Sequence, residues 1–349
     1  MRRRRREHIP TDRRRALAPR KPSRAPAPGN ASRALAPGKP SRALAPIRVP
    51  KPFRVLALLP VLALLVSGCG GGTADLGGPI RVVAAENFWG SIAGQLAGTH
   101  ASVQSIIVNP ASDPHSYEPT AADARTLATA QLVIVNGIGY DPWAPRLLAA
   151  NPTLGRQVLT VGSLLGLREG ENPHRWYSPA DVDAVAAAIT ASLKRLDPHD
   201  ATYFDGRQAD FESQRLARYH QLISAIRTRF SGVPVGASES IFALLSPALG
   251  LRLITPSSFM KAVSEGTEVS AQGAVTAQQQ IAQHRLEVWI YNSQNATPQI
   301  QSLNALAAQR GIPVATVTET LSPAGATFEQ WQASQLQALA QALHRATGR

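Results

Sequence analysis

Two predicted loops of this 349-residue sequence place a histidine directly after a proline. The first is centred on His115, in Asp113-Pro-His-Ser-Tyr-Glu, and the second on His174, in Asn172-Pro-His-Arg-Trp. Both precede a predicted helix, and the first also follows a predicted strand, which is where α/β folds bind ligands. A solitary loop histidine is usually solvated, but imidazole is also the commonest metal ligand. Two such loops favour a metal site more than one loop does.

From Pro79 onward, short apolar runs alternate with helical patterns, and this alternation must position the two loops. Strands are predicted over residues 80–85, 102–108, 132–135, 157–161, 234–237, 251–255, 288–291 and 314–317. Helices are predicted over residues 90–97, 121–130, 143–149, 179–196, 241–249, 271–284, 298–309 and 328–346, the fourth with Ser178 at its N-cap. The pattern indicates an α/β protein with parallel sheets covered by helices.

The alternation is interrupted once, over residues 197–230, where apolar residues recur at steps of three and four with no strand signal. We therefore predict two parallel-sheet β/α lobes, 79–196 and 231–349, joined by one long rigid helix. A cleft between two lobes is a natural ligand site.

The strongly basic balance of the chain comes from its first part. Residues 1–68 contain 17 of the 36 Lys and Arg residues and two of the 23 acids, so the remainder carries 19 basic and 21 acidic residues. Residues 1–53 form an Arg/Pro/Ala-rich leader that cannot build a packed core. We interpret it as disordered or as the product of a start codon assigned too far upstream. A nucleic-acid partner is not expected, because the basic excess is confined to this leader.

Residues 54–68 combine basic flanks, a short apolar run and small residues before Cys69, as a secretory signal does. Val66-Ser-Gly-Cys69 resembles the bacterial lipobox, in which the cysteine is acylated and becomes the new N-terminus. Cys69 is the only cysteine of the chain, and residues 69–78 would form a tether. An apolar run of this length is too short to span a bilayer comfortably. The sequence thus predicts a lipoprotein outside the cytoplasm, anchored to the outer face of a bacterial cell membrane.

The histidine motifs resemble those of one family, the metal-receptor solute-binding proteins of ABC importers for zinc, manganese and iron(II). Members carry a motif similar to Asp-Pro-His-x-Tyr-Glu-Pro, which this chain has from Asp113 onward. A helix follows the motif in the family, and the segment at its end resembles Ala130-Gln-Leu-Val-Ile-Val-Asn-Gly137 here. They also carry Pro-His-x-Trp, matched at Pro173. The resemblance implies a monomeric receptor that binds a divalent transition-metal ion with high affinity as cargo and delivers it to an ABC-importer permease. It implies no organic cofactor.

The resemblance also implies two ligands from the second lobe. Glu239 follows the first strand there with a one-residue shift from the family pattern, and Glu319 stands after the last strand where an aspartate is usual. The metal ligands implied are therefore His115, His174, Glu239 and Glu319. Taken alone, Glu239 is more typical of a helix N-terminal carboxylate and Glu319 of a solvated loop acid than of metal ligands. Outside the ligand set, Asn136, Glu86 and Asp123 are candidates to hold the second nitrogen of a ligating histidine.

Two imidazoles and two carboxylates suit zinc, manganese(II) or iron(II), whereas calcium prefers oxygen ligands alone. Bidentate carboxylates would raise the coordination number to six and suit manganese or iron, and monodentate ones suit tetrahedral zinc. The sequence leaves this choice open. It also leaves open two rival functions, a surface adhesin-like lipoprotein and a metallohydrolase. An enzyme is not expected, because the sequence has no Ser-His-Asp spacing, P-loop or glycine-rich dinucleotide turn.

Overall fold

Two four-stranded sheets, each entirely parallel, form the centre of the fold. The computed structural model describes residues 78–349. Strand order is β2-β1-β3-β4 in the first sheet and β6-β5-β7-β8 in the second. The strands are β1 Ile80–Glu86, β2 Ala101–Ile107, β3 Leu132–Val135, β4 Gln157–Thr160, β5 Pro234–Ala237, β6 Arg252–Leu253, β7 Val288–Asn292 and β8 Val314–Val317. The predicted α/β class with two parallel-sheet lobes is confirmed.

Helices connect the parallel strands. They are α1 Asn87–Ala97, α2 Ala121–Thr129, α3 Trp143–Ala150, α4 Val161–Leu164, α5 Pro179–Leu196, α6 Ala201–Asp210, α7 Ala217–Phe230, α8 Ser257–Ser264, α9 Ala271–Ala282, α10 Pro298–Gln309 and α11 Phe328–Thr347. Two 3-10 turns, Arg175–Tyr177 and Ser240–Leu244, complete the loops that carry His174 and Glu239. Both candidate ligands from these loops therefore stand at the entrance to a turn.

Three of the four candidate ligands lie beyond the carboxyl ends of parallel strands. In both sheets the first strand along the chain is central: the chain adds a strand on one side of it and then crosses to the other side. The loops leaving the carboxyl ends of the two middle strands therefore diverge, which opens a crevice at this switch point. Glu239 follows β5 and Glu319 follows β8, while His115 follows β2, so all three lie beyond strand carboxyl ends.

The two lobes share one hydrophobic core and belong to one compact unit. Tyr177 of the first lobe meets Trp331 of α11 edge to face, with ring centroids 5.9 Å apart, and its hydroxyl donates to the Thr318 carbonyl at 2.8 Å. In addition, the Phe328 backbone N–H at the start of α11 donates to the Ser91 hydroxyl of α1 at 2.9 Å. Because these contacts tie the lobes directly, the connecting segment is not their only link.

The segment between the lobes is helical but not uniform. Helix α6 passes into a π-helical turn, Phe211–Arg215, before α7 begins at Ala217. The segment becomes helical only at Ala201. Asp197 ends α5, and its carboxylate accepts the backbone N–H groups of His199 and Asp200, which forms a turn between α5 and α6. The segment predicted as one long helix over 197–230 is thus helical from Ala201, but it is not one continuous helix. Its rigidity stays a prediction.

The local predictions agree with the structure only in part. Residues 241–249 do not form an α-helix; the 3-10 turn ends at Leu244 and the segment continues as turns towards Pro247 and Gly250. Ser178 stands at the N-cap of α5 and Pro179 at its first position, as predicted, although the Ser178 side chain makes no capping hydrogen bond. Helix α8 was not predicted, because its eight residues follow directly on Pro256 and are too few for a clear period.

The predicted leader (1–53), signal segment (54–68), Cys69 and nearly all of the tether lie outside the described residues. The lobe boundaries at 79–196 and 231–349 stay predictions, although each sheet lies within one of them. Between Gly78 and Arg349, none of the helices combines the length and the apolar character that crossing a membrane requires.

Gly236 in β5 lies against Trp289 of the neighbouring strand, and a Cβ there would come within 2.6 Å of Leu286 Cδ2 and 2.8 Å of the Trp289 ring. We expect Gly236→Ala to destabilise the protein by about 1–3 kcal/mol, the usual cost of overpacking a core. Gly206 is the matched control, because it is exposed on α6 with no atom within 4 Å of an added Cβ. Gly206→Ala should stabilise the helix by about 0.5–1 kcal/mol. Urea unfolding measures both, and equal effects would contradict the packing argument.

Candidate functional site

His115 lies in the loop between β2 and α2, as predicted, and is half-buried. The Asp113 carboxylate fixes this loop: it accepts the His115 backbone N–H at 2.9 Å and the Ser116 hydroxyl at 2.8 Å. The His115 ring meets the ring of Tyr140 edge to face, with centroids 4.8 Å apart. Its Nε2 atom is buried without a hydrogen-bond partner. This nitrogen is therefore available to a ligand when the ring proton lies on Nδ1.

His174 is fully buried at the start of the 3-10 turn. Its Nδ1 lies 2.8 Å from Asn172 Oδ1, which also accepts the His174 backbone N–H. An amide oxygen can only accept, so the hydrogen bonding assigns the ring proton to Nδ1 and leaves a lone pair on Nε2. Asn172 Nδ2 donates in turn to the Ser240 carbonyl in the second lobe at 2.6 Å. Asn172 thus orients the imidazole and ties it to the turn beside Glu239.

Glu239 stands between β5 and the 3-10 turn and is 1 % exposed. Its side chain does not cap that turn, so the alternative of a helix N-terminal carboxylate is not supported. Burial, followed by the nearby charge of Glu319, raises the pKa of Glu239 to about 8. One carboxylate oxygen, Oε1, has no hydrogen-bond partner. A buried, unpartnered carboxylate oxygen is costly unless a cation or a proton meets it.

Glu319 follows β8 and is only 9 % exposed, so it is not a solvated loop acid. Its backbone N–H donates to Gln294 Oε1 at 2.7 Å, which fixes the loop against the end of β7. On its side chain, Oε2 accepts the Tyr140 hydroxyl at 3.4 Å. Burial and the Glu319 charge hold the pKa of Tyr140 well above its usual range, so Tyr140 stays a neutral donor.

The structure brings the four predicted residues into one neighbourhood. His174 Nε2 lies 3.7 Å from Glu319 Oε1, close to the roughly 3.3 Å that separates two ligands on a tetrahedral ion with bonds of about 2.0 Å. Asn292 Nδ2 joins the two carboxylates, at 3.1 Å from Glu239 Oε2 and 3.2 Å from Glu319 Oε1. Within residues 78–349, no three or more His, Cys, Asp or Glu side chains are arranged so that together they could hold a metal ion.

Two cavities open onto this neighbourhood. A cavity of about 610 Å³ is bounded by His115 and His174 on one side and by α8 on the other. A smaller one, of about 190 Å³, is bounded by Asp113, His115 and Glu319. Both are far larger than a bare ion, and His115 lies in the wall of each. Three of the four candidate ligands, His115, His174 and Glu319, thus line a cavity, whereas Glu239 lines neither.

The three candidates for holding a histidine have other roles. Asn136 accepts the Trp89 indole N–H at 3.1 Å and donates to the Pro173 carbonyl at 3.0 Å, which supports the His174 loop from behind. Asp123 caps α2 in a capping box. Glu86 is fully buried, and burial with the adjacent Asp141 raises its pKa well above the usual value. None of the three bonds to a histidine ring.

Sequence reasoning missed four polar residues that shape the site. They are Tyr140, Asn172, Asn292 and Gln294. Asn172 had a signal, because it stands two residues before His174, where a side-chain oxygen can turn back onto the chain. The sequence signal for Asn292 and Gln294 was weaker: both stand at the carboxyl end of a central strand, where ligand-binding residues are common.

A family model described as zinc-uptake complex component A, periplasmic (ZnuA) matches residues 82–342. The manganese-binding lipoprotein MntA of Halalkalibacterium halodurans is 29 % identical over 153 residues, which cover 42 % of this chain and 51 % of MntA. The iron-binding protein YfeA of Yersinia pestis is 29 % identical over 223 residues, covering 59 % of this chain and 70 % of YfeA. The chain thus spans about half the length of MntA and somewhat more of YfeA.

Solved structures of the same fold include a Mn-bound periplasmic metal-binding protein from Candidatus Liberibacter asiaticus. It superimposes with a TM-score of 0.63 at 19 % identity, covering 76 % of this chain and 99 % of that one. At this identity the likeness shows the fold. The family match, by contrast, extends through both lobes and over all four candidate ligands. The chain therefore belongs to the ZnuA family.

Proposed function

We propose that this protein binds one divalent transition-metal ion between its lobes and delivers it to an ABC-type importer. In this proposal His115 and His174 come from the first lobe and Glu239 and Glu319 from the second. The ion is cargo rather than a resident cofactor, and no organic cofactor takes part. Membership of the ZnuA family supports this role.

One observation carries the proposal. His115 Nε2, His174 Nε2 and Glu239 Oε1 are buried and have no hydrogen-bond partner. Buried polar atoms are usually partnered, and one cation would satisfy these three atoms together. Glu319, 3.7 Å from His174, supplies a fourth ligand and a second negative charge. A divalent cation satisfies all four groups at once.

The ligand types narrow the cargo to zinc or manganese, with iron(II) as a further candidate. The printed names of similar proteins include manganese-binding and iron-binding proteins and the zinc-binding lipoprotein AdcA of Streptococcus pneumoniae. Affinity alone will not identify the cargo, because zinc binds at least as tightly as manganese in almost any such site.

An extracytoplasmic location fits this role. Several similar proteins are named as lipoproteins, and the family itself is described as periplasmic. We further propose that Cys69 carries the lipid anchor, that the outer face of the bacterial cell membrane holds the protein, and that a monomer docks on the permease.

Handover requires the ion to enter and leave without unfolding the protein. The core shared by the lobes, with Tyr177 packed against Trp331, opposes a large hinge motion. The loops that carry the ligands lie at the border of that core. We therefore infer small lobe shifts and loop ordering on loading.

A metallohydrolase is the main rival function, because two histidines and one carboxylate also form a catalytic zinc site with an open water position. A fourth protein ligand closes that position, and Glu319 is placed to supply it. We therefore propose a binding protein and not an enzyme. An adhesin-like lipoprotein would not need the buried donor set.

We expect metal-stripped protein to bind one zinc or manganese ion per chain, and the double variant His115→Ala, His174→Ala to lose this binding, because half of the ligands are gone. Isothermal titration calorimetry measures both. His199→Ala is the control, since His199 is exposed and lies outside the site. No binding by the wild type, or full binding by the double variant, would contradict the proposal.

Metal affinity should rise with pH up to about pH 8. The raised pKa of Glu239 means that this group holds a proton at lower pH, which the ion must displace. One displaced proton changes the apparent Kd about tenfold per pH unit. Competition titrations with a chelator at pH 6, 7 and 8 measure the slope. Glu239→Gln should bind more weakly and with a shallower slope, and an affinity that is constant across this range would contradict the assignment.

A further inference from the structure

Asn292 is a fully buried amide between the two candidate carboxylate ligands. It ends strand β7, and its Nδ2 group donates one hydrogen to Glu239 Oε2 at 3.1 Å and the other to Glu319 Oε1 at 3.2 Å. A single NH₂ group thus holds one oxygen of each glutamate.

The orientation of the amide is fixed from the other side. Asn292 Oδ1 accepts the Gln294 backbone N–H at 2.9 Å, and the Asn292 backbone N–H donates to the Ser238 hydroxyl at 3.2 Å. A flipped amide would turn its oxygen towards two carboxylates and lose the bond to Gln294. Gln294 Oε1 in turn accepts the backbone N–H groups of Glu319 and Thr320. The end of β7 therefore positions both the side chain and the backbone of Glu319.

These bonds restrict how the carboxylates can meet an ion. Of their four oxygens, three already accept a hydrogen bond: Glu239 Oε2 and Glu319 Oε1 from Asn292, and Glu319 Oε2 from Tyr140. Only Glu239 Oε1 is unpartnered. A bidentate carboxylate must turn both oxygens towards the ion, which works against the Asn292 bonds. One oxygen from each glutamate and one nitrogen from each histidine make a four-ligand set.

We propose that Asn292 is a positioning residue that keeps Glu239 and Glu319 monodentate and thereby increases the preference of the site for zinc over manganese. The inference rests on the proposed metal-binding function. Four-coordinate tetrahedral geometry suits zinc, whereas octahedral oxygen-rich sites suit manganese. Removing the amide frees both carboxylates to rotate and to add oxygens to the coordination sphere.

The test compares Asn292→Ala with Asn304→Ala in the full chain. Asn304 is a matched control, because its Oδ1 accepts the indole N–H of Trp289, also on β7, at 2.7 Å and no candidate ligand is involved. Zinc and manganese affinities are measured separately by chelator competition. For Asn292→Ala we expect zinc binding to weaken by about 10- to 100-fold, the usual effect of removing a group that orients a ligand. Manganese binding should change much less, so the zinc-to-manganese affinity ratio falls. Asn304→Ala should leave the ratio unchanged.

If Asn292→Ala leaves the zinc-to-manganese affinity ratio unchanged, the inference is overturned, while the metal-receptor function stays intact. X-ray absorption of the zinc-loaded wild type gives a second reading that needs no variant to fold. Four nearest neighbours support monodentate carboxylates, and five or six overturn them. Absence of metal binding by the wild type is a different result, because it removes the proposed function itself.

Discussion

The burial of two carboxylates beside each other is the constraint on which this structure depends. Glu239 and Glu319 are taken out of water, and burial together with the nearby charge of Glu319 raises the pKa of Glu239. Hydrogen bonds from Asn292 and Tyr140 offset part of this cost. The remainder is offset only when a proton or a cation arrives. A site that is costly when empty and satisfied when loaded is suited to capturing a divalent ion.

The fold keeps this costly arrangement in place by fixing the loops at both ends. Trp176 and Tyr177 pack into the shared core directly after His174, so the histidine cannot withdraw far from the second lobe. Asn172 adds a polar tie across the lobes through the Ser240 carbonyl. On the other side, Gln294 holds the Glu319 loop by its backbone. The loops that carry the candidate ligands are thus anchored to a packed frame at both ends.

The sequence predicted the fold well where the signal was local and repeated. Strands β3, β5 and β8 and helix α10 occupy the predicted residues, because each is a short apolar run or a periodic segment between clear breaks. It failed where tertiary packing decided the outcome. The apolar residues of 241–249 suited an α-helix, yet the chain turns earlier so that Ile241 and Phe242 can enter the core. The π-helical turn at Phe211–Arg215 likewise had no distinct sequence signal.

For the site, residues recognised by a local motif could be predicted from the sequence, and residues whose contacts are distant along the chain could not. His115 and His174 were each predicted from a motif of a few neighbouring residues. The two glutamates were predicted from the family resemblance. Asn292 was not, because its role depends on Glu239 and Glu319, which are 53 and 27 residues away along the chain. Strand order brings the three together: β7 lies between β5 and β8, so its carboxyl end must meet the loops that carry both acids. A polar residue at the end of a middle strand, flanked by two acid-bearing strands, is therefore a signal that can be read once the sheet order is known.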